Sequence, residues 1–112
     1  MYGNHRRQVD HLRNAVAKAL AQAPELRVQV YLVGSWATGR FDGHSDVDLL
    51  VIASDDETAR QAEQRLMEIA YDVIATTEAR WEARLHDGHP FIRRLHHERQ
   101  QLLDTTAGDA DG

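Results

Sequence analysis

The first apolar pattern along the chain has the period of a helix. Val9, Leu12, Val16, Ala19 and Leu20 share one face, which predicts a helix over about residues 5–22 that Pro24 stops. Residues 28–33, Val-Gln-Val-Tyr-Leu-Val, are β-branched and aromatic and predict a strand ended by Gly34-Ser35. Ser35 is placed to cap a short helix over 36–40, followed by a polar loop to His44. Residues 46–53 predict a second strand, apolar on both faces from Leu49 onward and therefore central in a covered sheet. Ser54, Asp55 or Asp56 can cap the next helix, which puts Ala59, Ala62, Leu66 and Ile69 on one face. A third strand is predicted over 71–75, and Thr77 caps a helix over about 78–86 that Gly88-His89-Pro90 breaks. Phe91, Ile92 and Leu95, with Leu102 as a further candidate, give a last amphipathic segment, and 100–103 is also compatible with a strand. The order α-β-α-β-α-β-α-α predicts an α/β (α+β) architecture: a small mixed sheet of about three to four strands flanked by helices.

Composition narrows this picture. A chain of 112 residues with 42% hydrophobic and 28% charged residues is expected to form one globular domain. With no cysteine, disulfide scaffolds, thiol nucleophiles and cysteine zinc sites are excluded. Thirteen basic residues against eighteen acidic ones leave a net charge of −5, which disfavours nonspecific nucleic-acid binding. No apolar run approaches the ~20 residues of a membrane span, and the N-terminus leads into no signal-like stretch, so the expectation is a soluble cytoplasmic protein. The charge is uneven: residues 55–72 sum to −4, while 73–103 sum to +1 and hold four of the seven histidines. The expected organisation is one domain over 1–103 and a disordered acidic tail over 104–112, which has nothing to bury.

Candidate chemistry concentrates at Gly34-Ser35, then ten residues, then Asp46-Val47-Asp48. A glycine lets the backbone turn sharply and lets a ligand approach closely. A helix opening at Ser35 offers free N–H groups and a positive dipole end to phosphate. Asp46 and Asp48, two apart on a strand, project from the same face, and two such acids repel unless a cation sits between them. Magnesium, with its preference for oxygen ligands and substrate phosphates, is the natural candidate. The short link between the first two strands predicts an antiparallel pair, and the helical crossover to the third predicts a parallel one. Both place Asp72 at the same edge, where it could hold a second metal, accept a proton from an attacking hydroxyl, or do both.

These residues resemble a known family. Gly34-Ser35-Trp36-Ala37-Thr38-Gly39-Arg40 through Ser45-Asp46-Val47-Asp48-Leu49-Leu50-Val51 is similar to the signature of the DNA polymerase β-type nucleotidyltransferase superfamily. Its smallest members, the minimal nucleotidyltransferases, resemble this chain from the first helix to about Leu103; His89-Pro90-Phe91-Ile92-Arg93-Arg94 is similar to their C-terminal segment. The resemblance implies a nucleotidyltransferase fold and magnesium-dependent transfer of a nucleoside monophosphate, AMP from ATP or another triphosphate, to a hydroxyl. It implies that Gly34 and Ser35 bind the triphosphate and that Asp46, Asp48 and Asp72 hold magnesium, two ions in the full site, with Asp72 also activating the acceptor. Larger relatives, such as aminoglycoside nucleotidyltransferases, carry an acceptor-binding second domain that is not expected here. Minimal members are often encoded beside a HEPN-domain protein, in some pairs a toxic RNase whose tyrosine the nucleotidyltransferase adenylylates as antitoxin. The implied partner is therefore a HEPN-domain protein.

Other readings stand beside these. Asp46 and Asp48 could simply guard a strand end, or sit in a degenerate site in a binding module that neutralises its partner by covering it. A small-molecule nucleotidyltransferase completed by homo-oligomerisation is a third possibility. Arg40 can pair with a triphosphate or with Asp42, and Trp36 can stack on a base or pack between helix and sheet. The Arg93-Arg94 and His96-His97 run could meet an acidic partner, RNA or phosphate, though a solvated helix face is the commoner explanation. His86 and His89 have a metal-like spacing of three, but Gly88 and Pro90 interrupt the helix that would align them.

Overall fold

Helix α1, Tyr2–Ala21, ends where Pro24 removes the next helical N–H, and the chain turns through hydrogen bonds from Ala23 to Leu20 and from Leu26 to Ala23. This is a computed structural model, and it describes residues 2–34, 37 and 47–106. Strands β1 (Val28–Val33) and β2 (Asp48–Ala53) follow, then helix α2 (Asp56–Leu66), strand β3 (Asp72–Thr77), helices α3 (Glu78–His86) and α4 (Pro90–Glu98), and strand β4 (Gln100–Asp104).

Local chemistry sets most boundaries. The Asp55 carboxylate caps α2 by accepting the Thr58 amide at 2.8 Å, and that hydrogen bond holds its pKa below the usual value. Asp56 and Glu57 in the first turn and Arg65 in the last complement the helix dipole. Thr77 ends β3 and caps α3, its hydroxyl accepting the Arg80 amide at 3.2 Å. Gly88, at φ +76°, separates α3 from α4, and Pro90 opens α4 at a position whose N–H would have no helical acceptor.

The four strands form one mixed sheet in the order β3-β2-β1-β4. β1 is antiparallel to both β2 and β4, and β2 is parallel to β3. Alternation along the strands gives the sheet two faces. On one, α1 and α2 cover Val28, Val30, Leu32, Leu49, Val51 and Val73, with Val16 and Leu66 fully buried among them. On the other, Tyr31, Val33, Leu50 and Ile52 meet Trp81 of α3 and Ile92 and Leu95 of α4.

Several expected boundaries are corrected. β2 begins at Asp48, and Val47 precedes it outside the ladder. β3 begins at Asp72 rather than Tyr71 and runs to Thr77, because it pairs with β2 along its whole length. Leu102 belongs to β4 and packs with the α1 and α2 face. Asp104 is part of β4 rather than of a tail. Beyond it the Thr105 amide donates to the Val28 carbonyl at 2.9 Å, and the Thr105 hydroxyl accepts from the Val28 amide and donates to the Leu26 carbonyl. The remaining tail, 107–112, and the helix expected over 36–40, apart from Ala37, lie outside the described residues. No helix among the described residues is long and apolar enough to cross a membrane.

Candidate active site

The end of β1 and the starts of β2 and β3 share one edge of the sheet. Val33, the last residue of β1, is the register partner of Asp48, and Asp48 is the register partner of Asp72. Adjacent strands lie ~4.8 Å apart, so the two acids stand side by side on neighbouring parallel strands. Both alternate with residues of the α1 and α2 face, Leu49 and Val73, and so share the opposite face with Leu50 and Ile74. Asp48 is half-buried and Asp72 exposed.

Gly34 follows directly. Its φ of +79° is a left-handed conformation that other residues adopt only with strain, and a Cβ here would stand 3.2 Å from Asp48 Oδ2. The backbone therefore closes on the Asp48 carboxylate at a spot where a side chain would interfere. The Ala37 amide donates to the Gly34 carbonyl at 3.1 Å, continuing the turn.

The Val47 carbonyl clamps the same edge by accepting from the Tyr71 amide at 2.8 Å and the Asp72 amide at 3.3 Å. It joins the residue before Asp48 to the pair at the start of β3. Sequence reasoning missed this clamp, because it depends on how the parallel pair begins.

Of the expected site residues, the structure brings Gly34, Asp48 and Asp72 together; Ser35, Arg40 and Asp46, together with Trp36, lie outside the described residues. Asp46 is two residues before Asp48 in the sequence. The described donors are carboxylate oxygens, hard ligands that suit magnesium, and no cluster of three or more metal-ligating side chains occurs among the described residues.

The expected run of Arg93-Arg94 and His96-His97 does not act as one patch. Arg93, Arg94 and His97 are exposed, whereas His96 turns inward, and its Nδ1 accepts the Trp81 indole N–H at 3.3 Å. Desolvation, then the nearby Arg99, lowers the His96 pKa. The Arg99 guanidinium lies 4.3 Å above the Tyr31 ring, whose hydroxyl donates to Gln29 Oε1 at 2.6 Å. Burial is the main cause of the raised Tyr31 pKa. Trp81, His96 and Arg99, with Glu78 and Glu82, line a cleft of about 340 Å³ beside Gln29 and Ile52, near the end of the sheet away from Asp48.

The fold is an α+β domain whose mixed sheet sets in-register carboxylates beside a glycine turn at one edge. The model of the Nucleotidyltransferase domain family matches residues 13–99, and the chain belongs to that family. No curated protein and no solved structure matches the chain significantly. Domains of this family carry out nucleotidyl transfer, using a nucleoside triphosphate and a divalent metal.

Proposed function

We propose that the chain transfers a nucleoside monophosphate, AMP from ATP, to a hydroxyl on a HEPN-domain partner protein and acts as its antitoxin. The observation that carries the transferase half is the pairing of Asp48 with Asp72 at the edge where Gly34 closes on Asp48. The partner half rests on the resemblance to minimal nucleotidyltransferases.

In this reading Asp46, Asp48 and Asp72 would hold magnesium, two ions when the site is full. The metal supplies positive charge that offsets the charge of the triphosphate. Gly34 leaves room for the phosphates to approach, and Ser35 and Arg40 bind them. Asp72, exposed at the rim, takes the proton of the acceptor hydroxyl. The acceptor oxygen bonds to the α-phosphorus, the bond to the β-phosphate oxygen breaks, and pyrophosphate departs.

The test is transfer of label from α-phosphate-labelled ATP to the co-expressed partner. Label is expected on the partner with wild type and a loss of at least a hundredfold, ~2.7 kcal/mol of barrier, with Asp48→Asn. Neutralisation of the partner that persists in Asp46→Asn/Asp48→Asn, without label, would instead make the chain a non-catalytic binding module.

A further inference from the structure

An apolar groove of about 560 Å³ runs beside the first half of α1, at the same end of the sheet as the carboxylates. Leu12, Ala15, Val47 and Ile69 supply its apolar lining, exposed Arg7 and His11 add cationic and polar groups, and none of the described lining residues is acidic.

The segment after α2 joins the groove at Ile69 and carries further exposed apolar groups. Met67 is 61% exposed and Tyr71 74% exposed, and Ile69 between them lines the groove. Two of the three exposed large hydrophobics among the described residues thus fall within five positions, directly before Asp72. Tyr71 is held at its backbone, because the Val47 carbonyl takes both its amide and that of Asp72. Its ring is in solvent while its main chain is tied to the acid. Exposed Glu68 stands between Met67 and Ile69, and large apolar side chains left exposed in one short segment mark a contact site, where Met and Tyr are enriched.

Resting on the reading of the chain as a transferase that modifies a protein, we propose that this groove and its Met67–Tyr71 border dock the acceptor. The fitting partner is a protein segment with an apolar ridge and an acidic flank. The ridge fills the groove, the acids face Arg7 and His11, and a hydroxyl further along reaches Asp72.

The geometry favours a protein over the nucleobase. Val47 belongs with the α1 and α2 face, whereas Asp48 and Asp72 share the other face. A mononucleotide anchored on the carboxylates would have to fold back around the end of the sheet to reach the groove, while a protein spans both.

Two variants test this without touching the core: Met67→Ser/Tyr71→Ser strips the exposed border, and Ala15→Gln fills the groove from a helical position. Each is compared with wild type for label transfer from α-phosphate-labelled ATP in an extract of the source cells. Binding of a nonhydrolysable ATP analogue with magnesium and mass in solution are measured alongside. At least tenfold less label on the acceptor protein, with analogue affinity within twofold of wild type, is expected for both. Unchanged labelling overturns the docking surface while leaving the transferase reading intact. Lost analogue binding assigns the groove to the nucleotide and overturns it. Dissociation of a wild-type dimer in the variants assigns the surface to a second copy and overturns it. Label in RNA, or no label at all while the analogue still binds wild type, overturns the protein-modification reading and this proposal with it.

Discussion

The two faces of the sheet are built differently. On the α1 and α2 side, seventeen buried hydrophobic residues among those described form one continuous cluster, aliphatic throughout. On the α3 and α4 side the cluster has seven, and its margin is polar: Trp81 donates to His96, Tyr31 to Gln29, and Arg99 stacks on Tyr31. The first face is the main source of stability, since apolar burial is the dominant favourable term in folding. The second face carries Asp48 and Asp72 at one end. The acids are thus set on strands braced from behind by the large core and covered beside the site by a smaller layer.

The largest effect should come from breaking the larger face. Leu66 is fully buried between α2 and the sheet, so Leu66→Ala is expected to cost about 2–5 kcal/mol in urea unfolding. A cost below ~1 kcal/mol would mean that the two faces do not differ as described.

Gly34→Ala acts where β1 meets the site. The positive φ and the crowded Asp48 carboxylate predict about 1–2 kcal/mol of destabilisation and at least tenfold weaker nucleotide binding. Calorimetric titration beside an unfolding curve separates the two effects. Stability lost with affinity retained would show that the closeness to Asp48 has no bearing on the ligand.

Trp81→Phe keeps most of the ring volume but removes the N–H that His96 accepts. About 1–2 kcal/mol is expected by chemical denaturation, from the lost volume and hydrogen bond together. If α3 and α4 are a separate layer, hydrogen exchange should quicken there and stay slow in α1.

The smallest effect is a pH dependence of that layer. His96 has its pKa lowered in the folded protein, so between the unfolded value near 6.5 and the folded one the unfolded chain binds more protons. The stability is fully present above about 6.5 and is lost as pH falls through that window. The groups facing His96 are Trp81 and Glu82 of α3, His97 of α4 and Arg99 beyond it. Thermal melts of His96→Gln, whose amide oxygen can still accept the indole N–H, should show a flatter dependence between pH 6.5 and 5 than wild type. Parallel curves would remove His96 from the explanation.

Legibility in the sequence followed the range of the cause. The Thr77 cap, the Pro24 stop and the apolar face of α1 are local, and each was readable from a few neighbouring residues. Gly34, Asp48 and Asp72 were readable as a group because strand alternation and a parallel crossover suffice to align them. β4 was only a candidate, since Gln100, Gln101 and Asp104 look like polar surface until β1 supplies the pairing partner. The same absence of a visible partner put Asp104 in the tail. His96 and His97 read as one cationic run because they are adjacent, but successive helical residues point about 100° apart, and only His96 meets Trp81. The Val47 clamp and the groove beside α1 combine residues far apart in the chain, and no periodicity in the sequence announces them.

The central claim is that the Gly34, Asp48 and Asp72 edge binds a metal-bound nucleoside triphosphate. Its most direct test is calorimetric titration of the purified chain with a nonhydrolysable ATP analogue, with and without magnesium, in wild type, Asp48→Asn and Trp81→Phe. Binding that needs magnesium, disappears in Asp48→Asn and persists in Trp81→Phe is the expected result. Binding that ignores magnesium, or that survives Asp48→Asn unchanged, would contradict it.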